Sequence, residues 1–170
     1  MRYNRLMFSE DYVRRMIEQV SVVVTAILGL IRLGRYPESL AETDRALQQL
    51  LGLRLSLVDG LPASELVAML RWGERLDIGK LVVLAELLQA EGDVYAAQHQ
   101  TGEAQTRYLK SLELLLEVAF DSEQNLTAVQ PRVTALQQRL EPAVIPDDLA
   151  EWLAHYLATV AALPVEPAGE

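Results

Sequence analysis

Apolar residues recur along most of this chain at intervals of three and four residues, which is the spacing of one face of an α-helix. The pattern is clearest near the C-terminus, where it is formed by Leu149, Trp152, Leu153, Tyr156, Leu157 and Val160. Glycine and proline are few, and they stand between the periodic segments. The pattern predicts an all-α fold of six or seven helices without a sheet, in which short turns make consecutive helices mostly antiparallel.

Residues that favour helix termini predict where the long helices begin and end. The first helix is expected to span about residues 10–33, because Gly34 suits the position just beyond a helix C-terminus. The last helix is expected to span residues 147–163, between two aspartates and a proline. These bounds predict one helical domain over residues 1–163, followed by a disordered tail over residues 164–170.

Two shorter helices are expected where the pattern is less regular. Pro62 opens one that reaches about Arg71 and is broken by Gly73. Pro131 opens the other, which ends near Leu140 before a loop that contains two further prolines. The first of these carries enough apolar residues to cover one side of a neighbouring helix.

The segment 84–116, LAELLQAEGDVYAAQHQTGEAQTRYLKSLELLL, is expected to form two amphipathic helices joined by a short polar turn. Gly92 and Tyr95 are three residues apart in its first helix, and Ala104 and Tyr108 share one face of its second. This spacing resembles the tetratricopeptide repeat, a helix–turn–helix unit of about 34 residues. The resemblance implies antiparallel hairpins stacked as a short α-solenoid, which is a scaffold without a reacting group.

A second match to this repeat lies nearer the N-terminus, in LGRYPESLAETDRALQQLLGL. Together with DYVRRMIEQ and the segment 84–116, this match makes the chain resemble an uncharacterised family of bacterial tetratricopeptide-like proteins. The resemblance implies a fold but no established activity. The chain departs from the repeat at His99, where the turn glycine is usual, and at Glu91, which replaces the leucine before Gly92. No proline closes either repeat near Leu51 or Leu116. These departures argue against regular superhelical stacking.

Charge and composition exclude several classes of partner. Acidic residues number 24 against 15 basic ones, and the net charge of −9 repels phosphate backbones and anionic lipid surfaces. We therefore expect no nucleic-acid partner and no membrane partner. A membrane-spanning helix is also not expected, because the apolar run 20–33 is shorter than the ~20 residues that such a helix needs. The absence of cysteine excludes a disulfide framework, and without a secretory signal a cytoplasmic location is expected.

The sequence offers little catalytic or metal-binding chemistry. It contains no phosphate-binding loop, no dinucleotide-binding glycine motif and no nucleophile elbow. Glu151 and His155 stand four residues apart, but the further ligands that a helical metal site needs are missing. The acidic clusters within residues 38–44 and 86–93 are interpreted as solvated surface, because such residues are seldom buried unpaired. We therefore predict a protein that is not an enzyme and has no metal and no cofactor.

Two apolar surfaces are candidates for contact with a partner. The candidate residues are Val24, Leu28 and Ile31 in the first helix and Trp152, Tyr156 and Leu157 in the last. The tetratricopeptide resemblance implies that the first three lie at positions that line a peptide groove. The last helix has no following helix with which to complete a hairpin. Each surface is covered either by another helix of the same chain or by a second subunit or partner helix.

The leading hypothesis is a non-catalytic protein-interaction or assembly module on a tetratricopeptide-like scaffold, whose partner is another protein or a second copy of the chain. One chain has too few further residues to cover both apolar surfaces, so a two-fold symmetric homodimer is predicted. The alternative is a small-ligand-binding protein or an enzyme with a pocket between helical hairpins. A closed cavity with convergent polar groups would favour the alternative, whereas an open apolar patch would favour the module.

Overall fold

The computed structural model describes residues 10–165, and α-helices account for most of that range. These helices are α1 (Glu10–Arg32), α2 (Tyr36–Leu51), α3 (Leu55–Gly60), α4 (Ala63–Met69), α5 (Ile78–Ala97), α6 (Thr101–Asp121), α7 (Glu123–Ala128), α8 (Gln130–Arg139) and α9 (Asp147–Ala161). The prediction of an all-α protein is confirmed, but the described residues form nine α-helices rather than six or seven. Of the predicted tail, Pro164 and Val165 lie outside any helix, and residues 166–170 lie outside the described range.

Two helices of six residues each, α3 and α7, explain much of the difference. The α3 helix begins where the Leu55 amide donates a hydrogen bond of 2.8 Å to the Asp44 carboxylate, and its Val58 side chain is fully buried. The buried side chain of Leu126 anchors α7 in a similar way. Fewer than two helical turns are too short to show the helical period, so both segments look like turns in the sequence.

A small antiparallel hairpin separates α4 from α5, so the prediction of no sheet is wrong at this point. Its strands are β1 (Arg71–Trp72) and β2 (Arg75–Leu76). Gly73 opens the two-residue turn between them with a φ of +60°, a left-handed conformation that glycine adopts without steric cost. The short helix that was expected to reach residue 71 therefore ends at Met69.

The α5 helix is central to the fold. It packs against α1 and α2, which form one helical hairpin, and most extensively against α6. In turn, α6 contacts α4, α7, α8 and α9. All residues from 81 to 85 are buried, because α5 has neighbours on several sides and therefore needs apolar residues all round. The core thus follows the α5–α6 pair.

At Gly92 these two central helices approach so closely that no side chain fits between them. A Cβ atom at Gly92 would lie 2.5 Å from Cε1 and 2.8 Å from Cδ1 of Tyr108. The Tyr108 ring is buried, and its hydroxyl donates a hydrogen bond of 2.6 Å to Asp93 Oδ1. Two of the positions that carry the tetratricopeptide resemblance are therefore in direct contact across the helix pair.

The turn between α5 and α6 requires a left-handed residue. His99 fills this position with a φ of 60°, which is uncommon for a residue with a side chain. The backbone N–H of Gln100 then donates a hydrogen bond of 2.9 Å to the carbonyl oxygen of Tyr95. This geometry explains why the repeat pattern usually has glycine at the position of His99.

Candidate functional site

The predicted strip on α1 lies at the border between the core and the surface. Val24 and Ile31 are half-buried and pack against the buried core. Leu28 is half-buried as well. Other helices of the same chain therefore cover part of this strip, since α1 packs against both α2 and α5.

A second apolar row on α1 faces away from the core. Val22 and Leu33 are 72% and 70% exposed, and Ala26 between them is also exposed. Gly29 belongs to the same row, and apart from its chain neighbours and the nearby backbone of its own helix, no described atom lies within 4 Å of the place its Cβ would take. Positions 22, 26 and 29 share one face of α1, and Leu33, one residue beyond the helix end, continues that face because its N–H still bonds to the Gly29 carbonyl oxygen. We call these four residues the outer α1 stripe.

Sequence analysis missed the outer α1 stripe because the C-terminal half of α1 is apolar on nearly all sides. The N-terminal half, however, has a single apolar face, and its buried members Met16 and Val20 are in phase with the buried Ile27. Extending that face along the helix would have placed Val22 and Leu33 on the opposite side. The outer α1 stripe could therefore have been predicted from the sequence by extending the single apolar face of the first turns of α1 along the whole helix.

The three candidate residues of α9 lie in three different environments. Tyr156 is completely buried, and its hydroxyl donates a hydrogen bond of 2.6 Å to the carbonyl oxygen of Leu126 in α7. Trp152 is half-buried and packs against the core, whereas Leu157 is 40% exposed. Tyr156 therefore belongs to the core of this chain, because α7 covers the side of α9 on which it lies.

Phe120, which sequence analysis did not single out, joins the end of α6 to α9. Its ring stacks on the Trp152 ring at a centroid distance of 6.3 Å and on the His155 ring at 5.2 Å. The imidazole of His155 is therefore engaged with an aromatic ring at the surface. Within residues 10–165, no group of three or more His, Asp and Glu side chains is placed to hold a metal ion.

Arg107 of α6 pairs with carboxylates from three helices. Its Nε lies 3.2 Å from Glu91 Oε1 on α5, and its Nη2 lies 3.2 Å from Asp59 Oδ2 on α3. Its Nη1 donates to the carboxylate of Glu103 on α6. Lys110, one turn further along α6, donates to the Val58 and Asp59 carbonyl oxygens at 2.8 Å and 3.3 Å. We call Asp59, Glu91, Glu103, Arg107 and Lys110 the Arg107 cluster.

The interpretation of the acidic cluster on α5 as solvated surface is wrong. Glu91 is completely buried beside Arg107. Glu86 pairs with Arg132 Nε at 2.5 Å, and Asp93 pairs with Arg139 Nε at 2.8 Å. Both of these arginines come from α8, so another helix of the same chain pairs with this acidic side of α5. In the acidic cluster at residues 38–44, by contrast, Glu38 and Glu42 form arginine pairs at the surface, as interpreted. Asp44 of the same cluster is half-buried and accepts from the Leu55 amide.

Burial changes the acid–base properties of these internal groups. Burial, and then the hydrogen bond and charge of Asp59, raise the pKa of Glu91 to about 8, although Arg107 acts in the opposite direction. Burial also lowers the pKa of Lys110. Burial and the hydrogen bond to Asp93 raise the pKa of Tyr108 well above its usual 10. The perturbed groups are therefore concentrated along α5 and α6.

The surface of the described residues includes two sizeable clefts. One of about 630 Å³ lies between the N-terminal part of α1, the β-hairpin and the start of α7, and its walls carry both positive and negative side chains. The other, of about 1100 Å³, lies between α7 and the C-terminal end of α9 and includes Leu157. Both are open to solvent, so neither is the closed cavity that the ligand-binding alternative predicts.

The apolar run 20–33 falls within or just beyond α1, whose first half also carries charged residues such as Arg14 and Glu18. In the part of the chain that the structure describes, none of the helices combines the length and the apolar content that crossing a membrane requires.

Comparison with protein-family models, with curated proteins and with solved structures finds no match to this chain.

Proposed function

We propose that this chain is a non-catalytic assembly module, built as a short tetratricopeptide-like solenoid, that forms a homodimer through the outer α1 stripe. The observation that carries the proposal is the exposure of Val22 and Leu33, at 72% and 70%, in one row on the first described helix. Water in contact with such a row is unfavourable, and a second apolar surface removes that contact.

The order of helix contacts supports the tetratricopeptide-like scaffold. The hairpins α1–α2 and α5–α6 are stacked so that α5, the first helix of the second hairpin, packs against both helices of the first. Packing of each hairpin on its sequence neighbour is how α-solenoids are built. The segment 55–76, with α3, α4 and the β-hairpin, is then an insertion between two repeats.

The use of charged side chains supports a structural rather than a catalytic role. Arg107, Arg132 and Arg139 each pair with a carboxylate on a neighbouring helix. In an enzyme, reactive groups converge on a cavity that a substrate can enter. Here the internal charges join helices to one another, which suits a rigid scaffold.

The middle of the outer α1 stripe is suited to close helix contact. Ala26 and Gly29 are small, so two copies of α1 can approach at the short end of ordinary interhelical distances. Val22 and Leu33 then pack on either side of the contact, and the exposed Arg32 lies at its rim. A two-fold axis through this region closes the interface on itself, as in most homodimers.

Size-exclusion chromatography with light scattering tests the proposal. The wild type should have twice the chain mass of 19.0 kDa. The double variant Val22→Glu/Leu33→Glu should be a folded monomer, because both side chains are exposed and their loss removes little of the chain's own packing. Val144→Glu places the same charge on a valine that is 40% exposed elsewhere, so it should remain dimeric.

Two results would contradict this proposal. A wild type that is monomeric at micromolar concentration would rule out the homodimer. The alternative of a small-ligand-binding protein would then rest on the cleft of about 630 Å³, which is open to solvent but has a volume within the ~300–1,000 Å³ of common ligand sites. A double variant that stays dimeric would place the interface on another surface.

A further inference from the structure

Two carboxyl groups share one edge of a single guanidinium in the Arg107 cluster. The Nε atom of Arg107 contacts Glu91 Oε1, and its Nη2 atom contacts Asp59 Oδ2, both at 3.2 Å. The Nε–H and Nη2–H bonds of an arginine point the same way, and this edge commonly receives both oxygens of one carboxylate. Because each group here takes half of the edge, the two carboxyl groups lie side by side.

The second oxygen of each carboxyl group lacks a donor. Glu91 Oε2 and Asp59 Oδ1 are both buried, and neither has a hydrogen-bond partner in the described part of the chain. Two ionised carboxylates in this arrangement would repel each other, and each would also leave a buried oxygen unsatisfied. A single proton held between the two carboxyl groups, which lie within hydrogen-bonding reach of each other, would remove the repulsion and would provide the donor that is missing.

We propose that Glu91 and Asp59 share a proton at neutral pH, with Glu91 as the donor, and that this proton holds α3 against the α5–α6 pair. Charge supports this assignment. With Glu91 neutral, the positive charges of Arg107 and Lys110 balance the negative charges of Asp59 and Glu103. With Glu91 ionised, the cluster carries an excess negative charge at a site where the Glu91 side chain is 0% exposed.

The charges that act on Glu91 are those of Asp59 and Arg107. The other titratable groups that act on this pair or on its cations are Tyr95 on α5 and Glu103, Lys110 and Glu113 on α6. Tyr95 lies beneath the guanidinium, with its ring centroid 4.7 Å from Arg107 Cζ, which keeps that edge of the arginine in place.

The proton acts on α3 because Asp59 is the next-to-last residue of that helix. Lys110 and Arg107 tie this end of α3 to α6, and the shared proton ties it to α5. Removal of the proton leaves two negative charges beside the C-terminal end of α3, where the helix dipole already contributes a partial negative charge. We therefore expect α3 to loosen before the rest of the fold as pH rises.

The direction of the pH dependence follows from the pKa of Glu91, which is raised from the usual 4.5 to about 8. The folded chain binds this proton more tightly than the unfolded chain does. The stabilisation is therefore complete below about pH 4.5, falls as pH rises between these two pKa values, and is lost above about pH 8. Over that range the unfolding equilibrium constant should rise by up to about tenfold for each pH unit.

Glu91→Gln is the matched variant, because its amide N–H replaces the shared proton while its amide oxygen still accepts from Arg107. The urea concentration at the midpoint of unfolding should fall between about pH 6 and pH 9 for the wild type and should stay nearly constant for Glu91→Gln. We call this dependence of the midpoint on pH the slope. Asp59→Asn should also remove the slope, since it supplies a donor from the other side. Glu38→Gln alters an exposed carboxylate that pairs with Arg35 outside the Arg107 cluster, so it should keep the wild-type slope.

A direct measurement keeps the proposal testable even if a variant does not fold. With ¹³C-labelled glutamate carboxyl groups, one resonance of the wild type should titrate near pH 8 by NMR, and it should be absent from Glu91→Gln. Hydrogen exchange at one alkaline pH should be faster in α3 of the wild type than in α3 of Glu91→Gln. The proposal is overturned if every glutamate of the folded wild type titrates in the usual acid range, or if Glu91→Gln keeps the wild-type slope.

Discussion

Gly92→Ala tests the contact that fixes the two central helices. The new Cβ atom would lie 2.5 Å from Cε1, 2.8 Å from Cδ1 and 3.1 Å from Cζ of Tyr108. Carbon atoms pack best at ~3.5–4.0 Å, so the ring would have to move by about an ångström. The ring is not free to do so, because its hydroxyl is bonded to Asp93, which is itself held by Arg139 of α8.

The expected effect is the difference between two opposing terms. Inserting a carbon into a packed core typically costs ~1–3 kcal/mol, and the anchored ring places this site in the upper part of that range. Alanine is favoured over glycine within a helix by ~0.5–1 kcal/mol, which offsets part of the cost. We therefore expect Gly92→Ala to lower the free energy of unfolding by ~1–2 kcal/mol.

Urea unfolding followed by circular dichroism measures this change. Gly102→Ala is the control, because it is a helical glycine of α6 whose Cβ would meet no described atom within 4 Å, and it should not lose stability. Gly92→Ala should also lower the free energy of unfolding by a smaller amount in a Tyr108→Phe background, because the ring there has lost its hydrogen bond. If Gly92→Ala instead stabilises the protein, α5 and α6 do not meet at this residue.

Two further changes test the same helix pair by the same measurement. Ala104→Leu should lower the free energy of unfolding by ~1–3 kcal/mol, because Ala104 is 1% exposed and the added carbons would overpack the core. A change within error of zero would show that Ala104 is wrongly aligned with the repeat. His99→Gly should raise the free energy of unfolding by ~1 kcal/mol, because glycine adopts the φ of 60° without the steric penalty of a side chain. A loss of stability would mean that the His99 side chain makes contacts that outweigh its strain.

The long helices could be predicted from the sequence because each repeats its apolar period over several turns. The first helix was expected over residues 10–33 and spans Glu10–Arg32, and the last was expected over 147–163 and spans Asp147–Ala161. The short elements α3, α7 and the β-hairpin could not be predicted in this way. Their positions depend on contacts with distant residues, such as the bond between Asp44 and the Leu55 amide.

The candidate sites were harder to predict because they depend on which partner reaches each side chain. The replacement of a repeat leucine by Glu91 was visible in the sequence, but its pairing with Arg107 and Asp59 was not. The arginines that neutralise Glu86 and Asp93 lie 46 positions further along the chain. Periodicity within one helix contains no information about such partners, so buried and solvated carboxylates look alike.

The close contact between α5 and α6 also has a consequence for the order of folding. These two helices are neighbours in sequence, and only residues 98–100 lie between them. A short connection makes the entropy of loop closure small, and domains dominated by such local contacts fold in ~μs to ms. We therefore expect the α5–α6 hairpin to form early and α8 to dock late, since its arginine pairs span 46 positions. Changes at Gly92 would then slow folding, whereas changes in α8 would mainly speed unfolding.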